Sequence, residues 1–113
     1  MTLTQSKTEF LTEALVEQVN NLWKVNSIEN NSDFRTVLHY QVAKKYIKVY
    51  RIDVYKGVIR EGRSVFMFID KETGACYKPA SWRAPAKGIR FYIDSLVETP
   101  ELVDQYGSFL YRR

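Results

Sequence analysis

The chain has one cysteine, one histidine, three prolines and five glycines among its 113 residues. The single Cys76 excludes an intrachain disulfide and a zinc site built from several cysteines of one chain. Because His39 is the only histidine, sites such as His-Glu-x-x-His, which need two, are excluded as well. The scarcity of proline and glycine indicates that most of the chain forms regular structure. A chain without disulfides fits a reducing, cytoplasmic setting.

Long apolar runs and signatures of catalysis are also missing. No apolar run approaches the roughly 18–20 residues that cross a bilayer. The polar residues 1–6 lack the basic and apolar regions of a signal peptide, so we expect a soluble protein without a membrane partner. The glycines form no phosphate-binding loop, and no Gly-x-Ser-x-Gly signature accompanies His39. We therefore expect no enzyme, no cofactor and no metal site, and a Mg²⁺-dependent nuclease using Asp53 or Asp70 is the one catalytic alternative.

The composition is that of a globular protein. Hydrophobic residues make up 45% of the chain, aromatic residues 14% and charged residues 27%. These values are close to average globular usage, and the length is sufficient for one hydrophobic core. We predict a single domain over residues 1–113.

The clearest predicted element is a helix over residues 6–25. Ser6 and Glu9 match a capping box, in which each side chain accepts from the backbone N–H of the other residue. Apolar residues then recur every three or four positions, which is typical of an amphipathic helix. This stripe consists of Leu11, Ala14, Leu15, Gln18, Val19, Leu22 and Trp23. We expect it to pack on the domain's own sheet, with docking of a partner helix as the alternative, and we expect residues 26–33 to form a loop.

From Arg35 onward the apolar period shortens to two residues, which indicates strands at 36–42 and 46–55. The apolar pattern of the second strand is imperfect and predicts either a bulge or a strand covered on both faces at one end only. We expect the next hairpin to turn at Glu61-Gly62 rather than at Lys56-Gly57.

The apolar run 64–69 predicts a central, buried strand. Residues 70–74 have the composition of a short hairpin loop, with Gly74 taking a positive φ, and 75–78 form the returning strand up to Pro79.

The C-terminal third predicts short helices. One is expected over 88–96, and a second begins with Thr99 as N-cap and Pro100 at the first helical position. Gly107 is placed to end that helix, and the tail 108–113 is apolar enough to pack or to add an edge strand. The fold class is therefore α+β: an antiparallel meander of about four strands with an N-terminal amphipathic helix and short C-terminal helices.

Positive charge is concentrated in the middle of the chain. The 17 Lys and Arg and 13 Asp and Glu divide as two cations and five acids in 1–34, thirteen and four in 35–92, and two and four in 93–113. Such asymmetry indicates an anionic partner, most commonly nucleic acid, and a basic solvated sheet face is the simpler alternative.

Two basic segments also contain aromatic residues, the strand 46–55 and the loop 77–90. Cations for phosphates beside aromatic rings for bases are what single-strand binding requires. For Trp82 in the loop, a plug that seals the edge of the core is the alternative, and for the tyrosines ordinary sheet packing. The predicted nucleic-acid-binding residues are Lys45, Lys48, Tyr50, Arg51, Lys78, Trp82, Arg83, Lys87 and Arg90. His39 and Cys76 are expected to be structural.

Two stretches carry a resemblance. The run 66–74 with its turn Asp-Lys-Glu-Thr-Gly, and the run 77–88 with its loop Lys-Pro-Ala-Ser-Trp-Arg-Ala-Pro-Ala-Lys, resemble a signature of small uncharacterised proteins of phages and environmental viruses, to which residues 106–112 also correspond. In that pattern an Arg-Gly-Asn segment follows, from which residues 88–92 depart. The resemblance covers about a third of the chain and implies a viral origin and a host-cell location, without an assigned activity.

Together these features predict a small viral accessory protein that binds nucleic acid, single-stranded and without sequence preference, through its central basic face. The alternative is a protein-interaction module, either a modulator of a host protein or a self-assembling homodimer, in which exposed aromatic residues and the helix matter more than charge.

Overall fold

The computed structural model describes residues 7–31, 33–104 and 106–111. Its five strands form one antiparallel sheet in chain order, with a long helix before them and short helices after them. The α+β class is therefore confirmed, and the sheet has one strand more than the four expected. The elements are α1 (Lys7–Glu29), β1 (Phe34–Val42), β2 (Tyr46–Tyr55), β3 (Val58–Asp70), β4 (Ala75–Tyr77), β5 (Phe91–Tyr92), α2 (Ile93–Glu98) and two 3₁₀ helices (Pro100–Leu102 and Ser108–Tyr111).

Helix α1 packs on one face of the sheet through part of the predicted apolar stripe, whereas Ala14, Gln18 and Leu22 of that stripe line an open groove. Leu15 and Val19 are fully buried, and Leu11 and Trp23 pack against the same core. The helix continues to Glu29, so the loop predicted from residue 26 begins too early. Its last turn is held by a backbone hydrogen bond, in which the N–H of Asn30 donates to the Asn26 carbonyl over 3.1 Å. Ser6 of the predicted capping box lies outside the described residues.

The first strand is the sheet edge nearest α1, and a helix side chain covers part of it. The N–H of Leu38 donates to the Asn20 amide oxygen over 2.7 Å, and the Asn20 amide donates back to the Leu38 carbonyl over 3.1 Å. Unpaired backbone groups on an edge strand are a template for unwanted strand pairing. Asn20 satisfies two such groups and ties the helix to the edge.

The β2–β3 hairpin turns at Lys56-Gly57, so the expectation of a turn at Glu61-Gly62 is wrong. Tyr55 is paired with Val58, which leaves a two-residue loop with φ of 50° at Lys56 and 79° at Gly57. Positive φ at both central residues is the pattern of a type I′ turn, whose twist suits a hairpin. The Glu61-Gly62 pair lies inside β3 instead.

The bulge predicted for β2 lies on its partner strand instead: the extra residues are on β3, and the side chains of β2 keep their alternation. The register shifts between Val49 and Tyr50, because Val49 is opposite Met67 and Tyr50 is opposite Val65. Phe66 is thereby left unpaired, and it joins Met67 in the core. A second shift falls between Ile52 and Val54.

The predicted central strand and its hairpin loop are confirmed. Val65 to Ile69 are buried, and β3 lies in the middle of the sheet. Gly74 has a φ of 79°, and its N–H donates to the Asp70 carbonyl over 2.9 Å. The strand β4 ends at Tyr77, just before Pro79.

The C-terminal elements are shorter than expected. Residues 91–92 pair with β4 as a strand, so the helix predicted over 88–96 begins only at Ile93. Pro100 is the first residue of a three-residue 3₁₀ helix, and Thr99 makes no side-chain cap. Gly107, with a φ of 78°, precedes the last 3₁₀ helix rather than ending one. Phe109 and Leu110 of that helix are buried, so the tail packs into the core.

Candidate nucleic-acid interface

The strand β2 divides its side chains between two different surfaces. Ile47 and Val49 face α1 and are fully buried. Lys48 and Tyr50 alternate with them and therefore lie on the opposite face of the sheet. We call that opposite face the outer face and the α1 side the inner face. Half-buried Lys48 and Tyr50 are the first two predicted residues that the fold brings together.

Three aromatic rings follow one another across the outer face. His39 of β1 is directly opposite Tyr50 in the register, and their rings stack with centroids 6.0 Å apart at an angle of 26°. Trp82 meets the other side of Tyr50 edge to face, with centroids 5.7 Å apart. We call His39, Tyr50 and Trp82 the aromatic row.

Two cations border the aromatic row. The Lys48 Nζ lies 4.1 Å from the Trp82 ring centroid, and the Arg63 guanidinium carbon lies 5.7 Å from that of Tyr50. Contacts of this kind between a cation and a ring are worth about 0.5–1 kcal/mol when exposed. They hold both side chains beside the row.

The loop 78–90 folds back on itself and carries Trp82 at its tip. The N–H of Ala86 donates to the Lys78 carbonyl over 2.8 Å, and that of Ala80 to the Ala84 carbonyl over 3.0 Å. Pro79 and Pro85 form a bridge between the two arms. Backbone bonds thus fix the loop, so Trp82 has a defined place on the sheet although no regular element contains it.

Trp82 is both a cover and an exposed ring. A cavity of about 260 Å³ lies between the loop and β3, lined by Arg63, Ser64, Val65, Pro79, Ala80, Ser81 and Trp82. Val65 at its floor is buried, whereas Trp82 keeps 38% of its surface exposed. The predicted alternatives of plug and platform are therefore compatible, because one side of the ring covers the sheet and another faces solvent.

Three other predicted residues lie apart from the aromatic row. Arg51 points to the inner face, with its guanidinium carbon 5.7 Å from the Phe66 centroid and its Nε buried without a hydrogen-bond partner. Lys45 lies in the β1–β2 turn and lines a cavity with Lys44, Asp70 and Glu72, where acids offset its charge. The Lys78 Nζ is 5.2 Å from the Tyr111 centroid.

The remaining predicted cations belong to the loop. Arg83 and Lys87 are exposed, and the backbone N–H of Arg83 donates to the Ser81 hydroxyl beside Trp82. Arg90 is half-buried, its N–H donates to the Cys76 carbonyl over 2.8 Å, and its Nε is buried without a hydrogen-bond partner. The predicted basic face is therefore divided: Lys48, Tyr50, Trp82 and Arg83 lie together, and Arg51 lies across the sheet.

Sequence reasoning left out two members of the site. The sequence could have identified Arg63, because it belongs to the group of basic residues that surrounds β2. His39 was assigned a structural role, yet it is exposed and stacked on Tyr50. The hairpin register identifies it, since pairing of β1 with β2 around Ala43 places residue 39 opposite residue 50.

Cys76 is fully buried, and burial, together with the charge of Asp94, raises the pKa of its thiol far above the usual value. A thiol held protonated is a poor nucleophile, in agreement with its predicted structural role. Within 7–31, 33–104 and 106–111, no three His, Cys, Asp or Glu side chains come together as a metal site requires. The same residues contain no helix that is long and apolar enough to span a bilayer.

The sequence model of a family of unknown function, DUF7717, matches residues 2–112. The chain belongs to this family. The match covers nearly the whole chain and so includes α1, the sheet and the loop that carries Trp82. No curated protein and no solved structure matched the chain. Family membership thus assigns no activity to the chain.

Proposed function

We propose that the protein binds single-stranded nucleic acid, without sequence preference, through its outer face. In this proposal it is a non-enzymatic viral accessory protein of the host-cell cytoplasm, in keeping with the resemblance of residues 70–74 and 78–87 to viral proteins. The observation that carries the proposal is the aromatic row, because three rings in contact are bordered by Lys48 and Arg63 on one face of the sheet.

The rings suit bases whose faces are free to stack. A base that stacks on an aromatic side chain contributes about 1–3 kcal/mol, and every base has such a face, so this binding tolerates any sequence. In a duplex the bases are already stacked on one another, so the same rings find no partner there. The open side of Trp82 and the exposed ring of His39 are the proposed stacking positions.

The cations suit the phosphates that run beside those bases. Lys48 and Arg63 border the row, and Arg83 follows Trp82 at the loop tip. Lys48 has a flexible stem, so its ammonium can leave the Trp82 ring for a phosphate while the ring takes a base. Each phosphate neutralised on a single strand contributes about −0.7 to the slope of log K against log salt. Three contacts predict a slope of about −2.

The direct test is fluorescence anisotropy of labelled oligothymidylate at about 50 and 200 mM salt, with matched charge variants. Lys48→Gln and Lys44→Gln remove the same unit charge, but Lys44 lies beside Asp70 and Glu72 in the β1–β2 turn. We expect Lys48→Gln to weaken binding at low salt and to reduce the salt slope by about 0.7, and Lys44→Gln to change both much less.

A second readout follows Trp82 directly. Of the two tryptophans, Trp23 lies at the core against Tyr106, with centroids 5.3 Å apart. In the Trp23→Phe variant the fluorescence of Trp82 is observed alone. We expect oligothymidylate to quench it, because a stacked base quenches indole emission. Binding that leaves this emission unchanged, or the lack of binding by micromolar protein at low salt, would overturn the proposal.

A further inference from the structure

The outward side of α1 is an apolar surface that its own domain leaves uncovered. Phe10, Val25 and Ile28 are 64%, 51% and 69% exposed. Between them runs a groove of about 500 Å³, lined by Ala14, Glu17, Gln18, Asn21, Leu22 and Val25. Contiguous exposed apolar surface is typical of contact sites, and the groove joins Val25 to Ala14 and Leu22.

Six positions on this side lie four and three residues apart and so form one stripe along the helix, which we call the seam. The positions are Phe10, Ala14, Glu17, Asn21, Lys24 and Ile28. The seam is apolar toward both ends and polar at Glu17, Asn21 and Lys24. The other side of α1, with Leu15 and Val19, is already occupied by the core. The outward seam is therefore the side of α1 that is left for a partner.

The arrangement of the seam favours a second copy of the same helix in antiparallel orientation. Phe10 and Ile28 are equidistant from Val19, as are Ala14 and Lys24, and Glu17 and Asn21. A two-fold axis level with Val19 places each member of a pair against its counterpart in the second copy. Aromatic Phe10 then meets aliphatic Ile28 at both ends of the seam, and the polar pair Glu17 and Asn21 lies at the middle.

Charge points to the same orientation. Acidic Glu13 and Glu17 lie in the first half of the helix and basic Lys24 in the second half. Antiparallel pairing puts Lys24 one layer from Glu17 of the second copy, whereas parallel pairing would put like charges level with each other. A polar layer in a seam also fixes its register.

We propose that the protein forms a two-fold homodimer through this face of α1. The helix lies on the inner face of the sheet, so the dimer leaves both outer faces uncovered and turned away from each other. The inference does not depend on the proposed function, and the residues that test it lie outside the aromatic row.

The test is a charge swap followed by analytical ultracentrifugation over a range of protein concentrations. We expect the wild type to sediment as a dimer at high concentration. Glu17→Lys alone places two cations together, and Lys24→Glu alone places two acids together, so each variant should sediment as a monomer. A mixture of the two variants restores both opposite-charge contacts, because each copy supplies the complement of the other. The mixture should therefore sediment as a dimer.

Circular dichroism and thermal unfolding of each variant check that it is folded, and both substitutions are at exposed helix positions. Phe10→Ser with Ile28→Ser serves as a second variant without a charge change, and it should also be monomeric. A wild type that is monomeric at every concentration, or single variants that still dimerise, would overturn the dimer. A mixture that stays monomeric would overturn its antiparallel register.

Discussion

The two faces of the sheet are made from the same strands but are covered in different ways. On β2, Ile47 and Val49 are fully buried under α1, and their neighbours Lys48 and Tyr50 are half-buried on the outer face. The inner face is closed by regular elements: the apolar side of α1, together with α2 and the last 3₁₀ helix. The outer face is partly covered by a loop that is irregular and basic. Stability is therefore expected to depend on the first face, and ligand binding on the second.

The outer face also differs in how its contacts are made. Ring-to-ring and cation-to-ring contacts between partly exposed side chains hold Tyr50, Trp82 and Lys48 together, whereas the rings of the inner face, such as Phe66 and Phe109, are buried among aliphatic side chains of the core. Contacts of exposed cations with rings are individually weak, so they can be exchanged for contacts with a ligand at small cost. A surface whose side chains are ordered, but held by weak contacts, is suited to binding a ligand.

The largest expected effect is on the inner face. Ile69→Ala removes a fully buried side chain of the central strand. Such truncations cost about 2–5 kcal/mol, because they lose the transfer free energy and leave a cavity. Ile59→Ala is the matched control, since Ile59 is 68% exposed and its truncation should change stability by about 0.5 kcal/mol or less. Urea denaturation followed by circular dichroism measures the free energy of unfolding of both variants. Equal losses of stability would contradict the difference in burial between the two ends of β3.

Trp82→Ala should separate binding from stability. We expect it to weaken binding of oligothymidylate by about 1–3 kcal/mol, the value of one stacked base. The free energy of unfolding should fall by less than for Ile69→Ala, because Trp82 keeps 38% of its surface exposed. Anisotropy measures the affinity for oligothymidylate, and urea denaturation of the same preparation measures the free energy of unfolding. Loss of folding without a specific loss of affinity would identify Trp82 as a plug alone.

Two glycines at positive φ allow a narrower comparison between turns. Gly57 and Gly74 both have a φ of 79°, so alanine at either position carries a strain of about 1–2 kcal/mol. A Cβ at Gly57 meets nothing within 4 Å, whereas one at Gly74 meets the Ile93 Cγ2 at 3.1 Å. Gly74→Ala should therefore be the more destabilising of the two by thermal unfolding. The reverse order would mean that the β3–β4 loop moves away from α2 freely.

The smallest expected effect is a pH dependence of the β3–β4 loop. The pKa of the Asp70 carboxyl lies below its ordinary value of 3.8, because the N–H groups of Thr73 and Glu72 donate to it, against the opposing effect of burial, and Lys45 adds a positive charge. Since the folded pKa is the lower one, the stabilisation is present above the ordinary pKa and is lost as pH falls through the folded value.

Between pH values of about 5 and 3 the stability of wild type should fall more steeply than that of Asp70→Asn, by less than about 1 kcal/mol for this solvent-accessible group. Chemical denaturation at several pH values measures the difference. Parallel curves for the two proteins would show that the loop does not favour the ionised carboxylate.

The helix and the strands could be predicted from the sequence, because the apolar patterns that indicate them are local. The apolar period of α1 and the run at residues 64–69 identify the helix and the central strand. The turn was placed wrongly because Lys56-Gly57 and Glu61-Gly62 both offer a glycine, and the fold puts Lys56 itself at a φ of 50°. Residues other than glycine rarely take such a φ. The end of α1 was missed because Asn26 and Ser27 have low helix propensity, which tertiary contacts override.

The candidate site was harder to predict from the sequence, because it depends on residues that are distant in the chain and close together in the fold. Lys48 and Tyr50 follow from strand alternation, but the bulge at Phe66 and the return of the loop bring Val65 and Trp82 beside them. Arg51 was assigned to the basic face by sequence proximity alone, and the alternation of β2 puts it on the inner face with Phe66. Net charge along the chain therefore overstated the size of the basic surface.

The most direct measurement of the central claim is an NMR titration of ¹⁵N-labelled protein with oligothymidylate at low salt. We predict shifts of the Trp82 indole N–H and of the backbone amides of His39, Lys48 and Tyr50, with the amides of Leu15 and Val19 unchanged. The shifts should reverse when salt is added, since the phosphate contacts are screened. Shifts confined to α1, or none at all with the aromatic row intact, would contradict the assignment of the outer face as a binding surface.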